Sequence, residues 1–276
     1  MNDIQIVQCF PVSSRMRPLA GLYLEHCLHL LGGPGKPMVY GNFLTSLDGR
    51  IALGSQEWDS AIPKGLGTPE DWHLLQELEA QADCIIVHGG YLRALQAGRL
   101  GNILQVGMDA QTQFLQDWRV QNGLKPQPDI LIVSASLNFP LPPSIGLHQQ
   151  RVIIATGTHA ATDQIQTFRE KGFEVWSAGN GRWVEGRSLV RQLNQCGYQS
   201  IYLLAGPRIL ASMAHDRVLS RLYLTLSHCL VGGDAFHTLF HGKPLPGPLQ
   251  FKLESLYYQA PAGTRPGQFY NCFSQI

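Results

Sequence analysis

The sequence predicts an α/β fold: a mostly parallel central sheet with helices on both faces and a C-terminal antiparallel strand pair. Three observations lead there. Short apolar runs without alternation, Cys84-Ile85-Ile86-Val87, Ile130-Leu131-Ile132-Val133 and Ile201-Tyr202-Leu203-Leu204, suit parallel strands buried on both faces. Segments of helical spacing separate these runs, and right-handed crossovers then make the sheet parallel. Towards the end helices stop, and Phe251 to Gln259 and Phe269 to Phe273 read as an antiparallel pair around Pro261, Gly263 and Gly267.

In chain order, residues 1–36 read as a helical extension ahead of a single domain over 37–276. Leu19, Leu22, Tyr23, His26, Leu28, Leu30 and Leu31 fall near helical spacing until Gly32-Gly33-Pro34-Gly35 breaks it. His26, Cys27 and His29 lie close together without a fourth ligand, so packing is read there and no metal. Val39 to Leu44 is a strand, closed by a turn in which Asp48 bonds its own backbone and Gly49 accepts positive φ. That turn brings the hydroxyls of Thr45 and Ser46 to a sheet edge, where open α/β sheets bind ligands. An ordinary strand exit has the same spacing.

After an irregular segment from Gly54 to Gly67 holding Trp58, Thr68-Pro69-Glu70-Asp71 starts a helix with a hydroxyl cap, proline and acids in the first turn. The next strand leaves through His88-Gly89-Gly90 into a helix over 91–96, where glycines allow backbone to approach a phosphate. His88 either faces the cleft or is satisfied in the core. A short helix over 109–119 carries Phe114, Leu115 and Trp118 on one side. Strands 130–133 and 151–155 exit at Ser134 to Asn138 and at Thr156-Gly157-Thr158, hydroxyls that hold a phosphate or cap helices. A helix (160–171), a strand (173–176) and a second helix (187–196) with Leu189, Val190 and Leu193 inward follow. Strand 201–204 runs into Ala205-Gly206-Pro207-Arg208, small residues and a helix-starting proline that suit a pyrophosphate at a helix N-terminus. Arg221 to Leu230 reads as a strand at a buried edge, closed by Gly232-Gly233-Asp234.

Composition removes several function classes. A net charge of +1 without a Lys/Arg run gives no electrostatic case for nucleic acid or an anionic membrane. Six scattered cysteines without a C-x-x-C pair argue against structural zinc or a disulfide framework and fit a reducing compartment. With no basic start before an apolar segment and no apolar run long enough to span a bilayer, a cytoplasmic protein is expected. His237 and His241 lack the intervening acid of a metal-binding helix.

Thr45-Ser46-Leu47-Asp48-Gly49-Arg50-Ile51-Ala52 resembles the signature of the reductase domain of the bifunctional riboflavin-biosynthesis deaminase/reductase. The resemblance extends from about Pro37 to the C-terminus. Leu204-Ala205-Gly206-Pro207 is similar to that family's cofactor-phosphate segment, Arg221 to Gly233 to its late strand and glycine turn, and Trp58 to a Trp at its cofactor site. The family implies a dihydrofolate-reductase-like fold, a homodimer, and hydride transfer from NADPH to the ribosylamino group of a pyrimidine, 5-amino-6-(5-phosphoribosylamino)uracil. Carried onto this chain, it implies Ser46 and Asp48 beside the nicotinamide and substrate. Thr45, Trp58, Gly89, Gly90, Tyr91, Ser134, Ser136, Gly206, Pro207, Arg208 and Ile209 would line the cofactor.

Four positions depart from the family pattern. Leu204 replaces the family's substrate-binding Glu, Glu79 falls nearest a family Arg, and Tyr91 and Leu95 stand near the Thr and Asp of its cofactor helix. The deaminase pattern, His-x-Glu with Pro-Cys-x-x-Cys, is absent from this sequence. Two further readings stay open: a reductase of the same fold on another carbonyl, imine or pterin-like substrate, and a non-catalytic nucleotide-binding relative.

Overall fold

The computed structural model describes residues 4–12, 15–54 and 62–276. The chain starts with a hairpin, β1 (Gln5–Phe10) and β2 (Arg15–Pro18), and two single-turn 3-10 helices follow at Leu24–His26 and Leu28–Leu30. β3 (Met38–Ser46) and the short β4 (Ala52–Leu53) lead to α1 (Pro69–Glu79). Thr68 caps α1 by accepting from the Asp71 amide at 3.2 Å, as its sequence demands. β5 (Cys84–His88) runs directly into α2 (Gly89–Gln96), and α3 (Phe114–Gln121) precedes β6 (Asp129–Val133). Then come β7 (Val152–Thr156), α4 (Thr162–Glu170), β8 (Glu174–Ser177), α5 (Gly186–Gln195), β9 (Ser200–Leu203) and α6 (Pro207–His215). β10 (Arg221–Ser227), β11 (Phe236–His237), β12 (Phe251–Gln259) and β13 (Gln268–Gln275) close the chain.

Eleven strands form one sheet in the order β2-β1-β12-β13-β10-β3-β9-β5-β6-β7-β8, while β4 and β11 pair separately. From β10 to β8 every neighbouring pair is parallel; from β2 to β10 every pair is antiparallel. The expected fold class holds. Alternating side chains of the parallel strands feed two cores: Ile85, Val87, Ile130 and Ile132 face α1, α2 and α4, and Cys84, Ile86, Leu131 and Val133 face α5 and α6. This is why the runs read as apolar without alternation.

Three expectations need correction. The helix expected in residues 19–31 is absent: Gly21 at φ +82 and Cys27 at φ +47 break it into turns. Leu19, Leu22, Tyr23 and Leu28 are buried all the same, because turns and hairpin bury leucines as well as a helix does. The hairpin joins the main sheet through β12, so residue 36 marks no structural boundary. In α3, Leu115 is buried and Trp118 packs against it as the expected side requires, but Phe114 is 42% exposed and Arg119 is fully buried beside them. Arg119 earns its burial by donating to the carbonyls of Ala80, Ala82 and Lys125. Finally, β10 is no edge; it lies between β3 and β13 and ends at Ser227.

Buried polar groups of α1 and of the turn after it hold the N-terminal turns. Glu77, fully buried, accepts from the amides of Gly21 and Tyr23, and Gln81 accepts from Leu28 N and donates to Tyr23 O. Tyr23 packs on Tyr223 at 4.8 Å, and His26 Nδ1 lies 2.6 Å from the Tyr223 hydroxyl, with burial pushing the imidazole down to about 4. Glu77→Ala leaves two buried amides without acceptors and is expected to cost roughly 3 kcal/mol in urea unfolding. Glu77→Gln, which keeps one acceptor oxygen, should lose less.

Candidate functional site

The parallel register brings five strand exits to one edge. Ser46 pairs with Ser227, His88 with Val133, and Val133 with Ala155, while Gly41 pairs with Leu203 and Leu203 with Ile86. The exits after β3, β9, β5, β6 and β7 therefore leave on the same side. There the half-buried His88 lies between two helix starts. A Cβ added at Gly90 would lie 2.8 Å from His88 Nδ1, and one at Gly206 would lie 3.7 Å from Nε2. One imidazole thus spans the N-termini of α2 and α6, and a side chain at Gly90 would have to displace it. Gly89 serves packing instead, since its Cβ would stand 3.0 Å from Phe139 and 3.2 Å from Ser134 Oγ.

Neither α2 nor α6 is closed by a side-chain cap, and Pro207 opens α6. Two positive helix ends aimed at one edge, beside small residues, make a cradle that fits the phosphates of a dinucleotide.

The exit of β3 is built around Asp48. Its carboxylate accepts from Ser46 Oγ, from Arg50 Nη1 at 2.6 Å, and from the amides of Gly232 at 2.9 Å and Val231 at 3.3 Å. The Ser46 hydroxyl, then the Gly232 amide, hold the carboxyl down to about 2. Arg50 continues to the Gly233 carbonyl at 3.0 Å and lies 4.2 Å over the Phe236 ring. Asp48 is therefore an ionised tie between the β3 turn and the loop after β10, and no proton donor at neutral pH. Ser46 is buried, its hydroxyl spent between Asp48 and the Arg50 amide at 3.0 Å. The Asp48 carboxylate is neutralised by the Arg50 guanidinium, and the Asp48 side chain is 21% exposed.

Other residues singled out in the sequence divide by where their side chains go. Thr45 is buried and donates to the Ser46 carbonyl at 3.2 Å. Ser134 accepts from the Leu137 amide at 3.0 Å and Ser136 from Asn138 at 3.4 Å, so both hydroxyls close their own turn. Two assignments need correction at the side-chain level. Tyr91 is buried, accepting from Ile103 N at 2.9 Å and donating to Gly101 O at 3.0 Å, and Ile209 is buried under α6, so these two offer the edge only backbone. Pro207 and Arg208 occupy the first turn of α6. Trp58 lies outside the described residues.

The departures from the resemblance also have places. Glu79 is buried at the end of α1, where desolvation pushes its carboxyl well up against the pull of Arg119. Leu204 and Leu95 pack against the core on the α1 face. Sequence reasoning passed over Arg182 and Trp183, in the loop after β8; their adjacency was the available signal. At the opposite, amino edge of the strands a polar pocket of about 240 Å³ is lined by Asp83, Arg119, Lys125, Asp129, Arg151 and Tyr198. Asp129 there already accepts from Lys125, Tyr198 and the Arg151 amide, which marks a structural charge network rather than a receptor.

A family model described as the RibD C-terminal domain matches residues 37–261. Among solved structures, the chain is similar to a pyrimidine reductase-like protein from Corynebacterium diphtheriae (19% identity, 87% of this chain, 92% of that chain, TM-score 0.66). It is similar to Acinetobacter baumannii RibD (17% identity, TM-score 0.57), covering 88% of this chain and 59% of that longer one. It is similar to the Saccharomyces cerevisiae riboflavin biosynthesis reductase Rib7 (14% identity, 93% of this chain, 99% of that chain, TM-score 0.56). At these identities the likenesses show the fold. A comparison with curated proteins gives no match.

Because its folded-state value is depressed, Asp48 stabilises the protein fully above the unfolded carboxyl value of about 3.9, and that contribution is lost as pH falls towards about 2. Acid unfolding of Asp48→Asn should show a weaker pH dependence across that window than the wild type, and a carboxyl titration by NMR should find Asp48 ionised at pH 4.

Proposed function

Because the chain belongs to the RibD C-terminal domain family, we propose that it is an NADPH-dependent reductase of the riboflavin-biosynthesis type. Its substrate on this reading is a ribosylaminopyrimidine such as 5-amino-6-(5-phosphoribosylamino)uracil. The observation that carries the reading is the His88 ring between Gly90 and Gly206, which brings two helix N-termini to the ends of adjacent strands. Bound NADPH supplies the hydride. The chain's own part is to bind and orient: α2 and α6 cradle the phosphates, and the β3 turn fixes the wall where the reactive ring and substrate meet. The Asp48–Arg50 pair holds the shape of that wall without transferring a proton. From the resemblance, the reading includes a homodimer in the cytoplasm.

One observation favours the second reading, a reductase of the same fold on another carbonyl, imine or pterin-like acceptor. Glu79 is buried in the core and Tyr91 is committed to residues 101–103, so neither can hold a ribose phosphate. The two readings share their cofactor and part at the substrate.

A thermal-shift comparison tests the cofactor. Selective binding to the native state raises stability by about 2.7 kcal/mol when the ligand stands at a hundredfold its Kd. NADPH should raise Tm and NADH should raise it less at equal concentration. No shift with either overturns both reductase readings. Oxidation of NADPH with the pyrimidine, followed by loss of reduced-nicotinamide absorbance, then decides between them: turnover supports the first, and binding without turnover favours the second.

A further inference from the structure

A groove of about 490 Å³ opens at the amino edge beneath β3 and β10, at the ends of these strands away from Ser46 and Ser227. Met38 and Arg221, the first residues of the two strands, line it together with Leu31, Lys36, Arg217 and Val218. Its charge is one-sided: three cations line it and no acid does. The neighbouring acids are already engaged, Asp216 by the Arg187 amide at 2.8 Å and Glu254 by Ser274 Oγ at 2.6 Å. Arg221 reaches the Tyr223 hydroxyl, whereas Lys36 and Arg217 are exposed and make no ion pair among the described residues. Backbone fixes both of these cations in place. Gly35 N donates to Asn194 Oδ1 at 2.7 Å, and Gly33 and Lys36 close their turn with two bonds of 3.1 Å. Gly32 runs hard against Gln199, where a Cβ would lie 1.9 Å from the carbonyl oxygen. Arg217, at φ +55, closes α6 by donating its amide to Ala214 O at 3.1 Å. Gln275 forms part of the wall, and its side-chain oxygen is buried without a partner.

We propose that this groove binds a nucleoside monophosphate, with the phosphate between Lys36 and Arg217 and the base on Leu31 and Val218. Two unpaired cations on separate, fixed turns favour a phosphate monoester, close to a dianion at neutral pH, over a single carboxylate. Inorganic phosphate would satisfy the cations and leave the rest of the groove empty, whose volume is that of a site for a whole small molecule. Leu31, 50% exposed, offers an apolar platform for a ring. The buried Gln275 oxygen calls for an N–H or O–H donor, which a base or a ribose supplies. Walls already held by backbone lower the ordering cost of binding. The whole length of β3 separates this groove from Ser46, so the proposal does not depend on the reductase reading.

Calorimetric titration of adenosine 5′-monophosphate, cytidine 5′-monophosphate, adenosine and inorganic phosphate into the wild type, Lys36→Gln and Arg217→Gln tests this. Urea unfolding alongside checks that these exposed substitutions leave the fold intact. The wild type should bind both nucleotides, and adenosine and phosphate should each bind about tenfold more weakly or less. Each variant should weaken the nucleotides about tenfold, as expected for one lost charge-assisted contact, and leave adenosine unchanged. Saturating NADPH should displace neither nucleotide. No nucleotide binding, displacement by NADPH, phosphate alone binding as tightly, or variants that bind like the wild type would each overturn the inference. A protein that takes the nucleotides but not NADPH counts against the reductase reading alone.

Discussion

Parallel pairing of β3 on both of its edges is the constraint from which the rest follows. With β10 on one side and β9 on the other, β3 is buried over nearly its whole length, and its register carries the ends of its neighbours with it. A slip of one residue would turn Val39, Gly41 and Phe43 to the wrong face, away from the α5 and α6 core. A Cβ at Gly41 would make ordinary contact, 3.6 Å, with the Leu203 side chain. Once β3 is set, its exit must turn at Asp48-Gly49, and the Asp48 carboxylate ties that turn to residues 231 and 232.

The two edges of the sheet differ in electrostatic character for the same reason. At the carboxyl edge, helix starts deliver positive dipole ends and few side chains close them, so the edge is left receptive to anions. At the amino edge beneath β5, β6 and β9, acids and bases satisfy each other: Asp83 accepts from the amides of Gln199 and Ser200, and Asp129 takes Lys125 and Tyr198. The polar pocket lies at that second edge. A cavity there reflects paired charges that cannot pack tightly, whereas the carboxyl edge is an open ledge whose chemistry comes from backbone.

Much of this was legible in the sequence. Parallel strands buried on both faces show as continuous apolar runs, and Thr68-Pro69 and Gly206-Pro207 mark helix starts through local chemistry that tertiary contacts seldom override. The N-terminal segment was misread because leucines three and four apart fit buried turns as well as a helix, and the positive φ at Cys27 has no sequence signature. Arg119 defeated the pattern in the other direction: a charged residue on the inner face becomes visible only once three carbonyls converge on it. At the site, the positions of the glycines and hydroxyls could be read, but their tasks could not. Ser46 and Ser134 reach the right edge and then spend their hydroxyls on the chain itself. The pairing of Trp183 with Arg208 needs α6 to pack beside the loop after β8, a long-range fact no local spacing encodes.

The central claim is that one edge of the sheet, the one holding His88 between two glycines, receives the dinucleotide. Amide hydrogen exchange with and without NADPH tests it most directly. The account predicts slowed exchange at residues 46–50, 88–91 and 206–209, with the amino-edge segments 80–83 and 125–129 unaffected. Slowing confined to those amino-edge segments would contradict it.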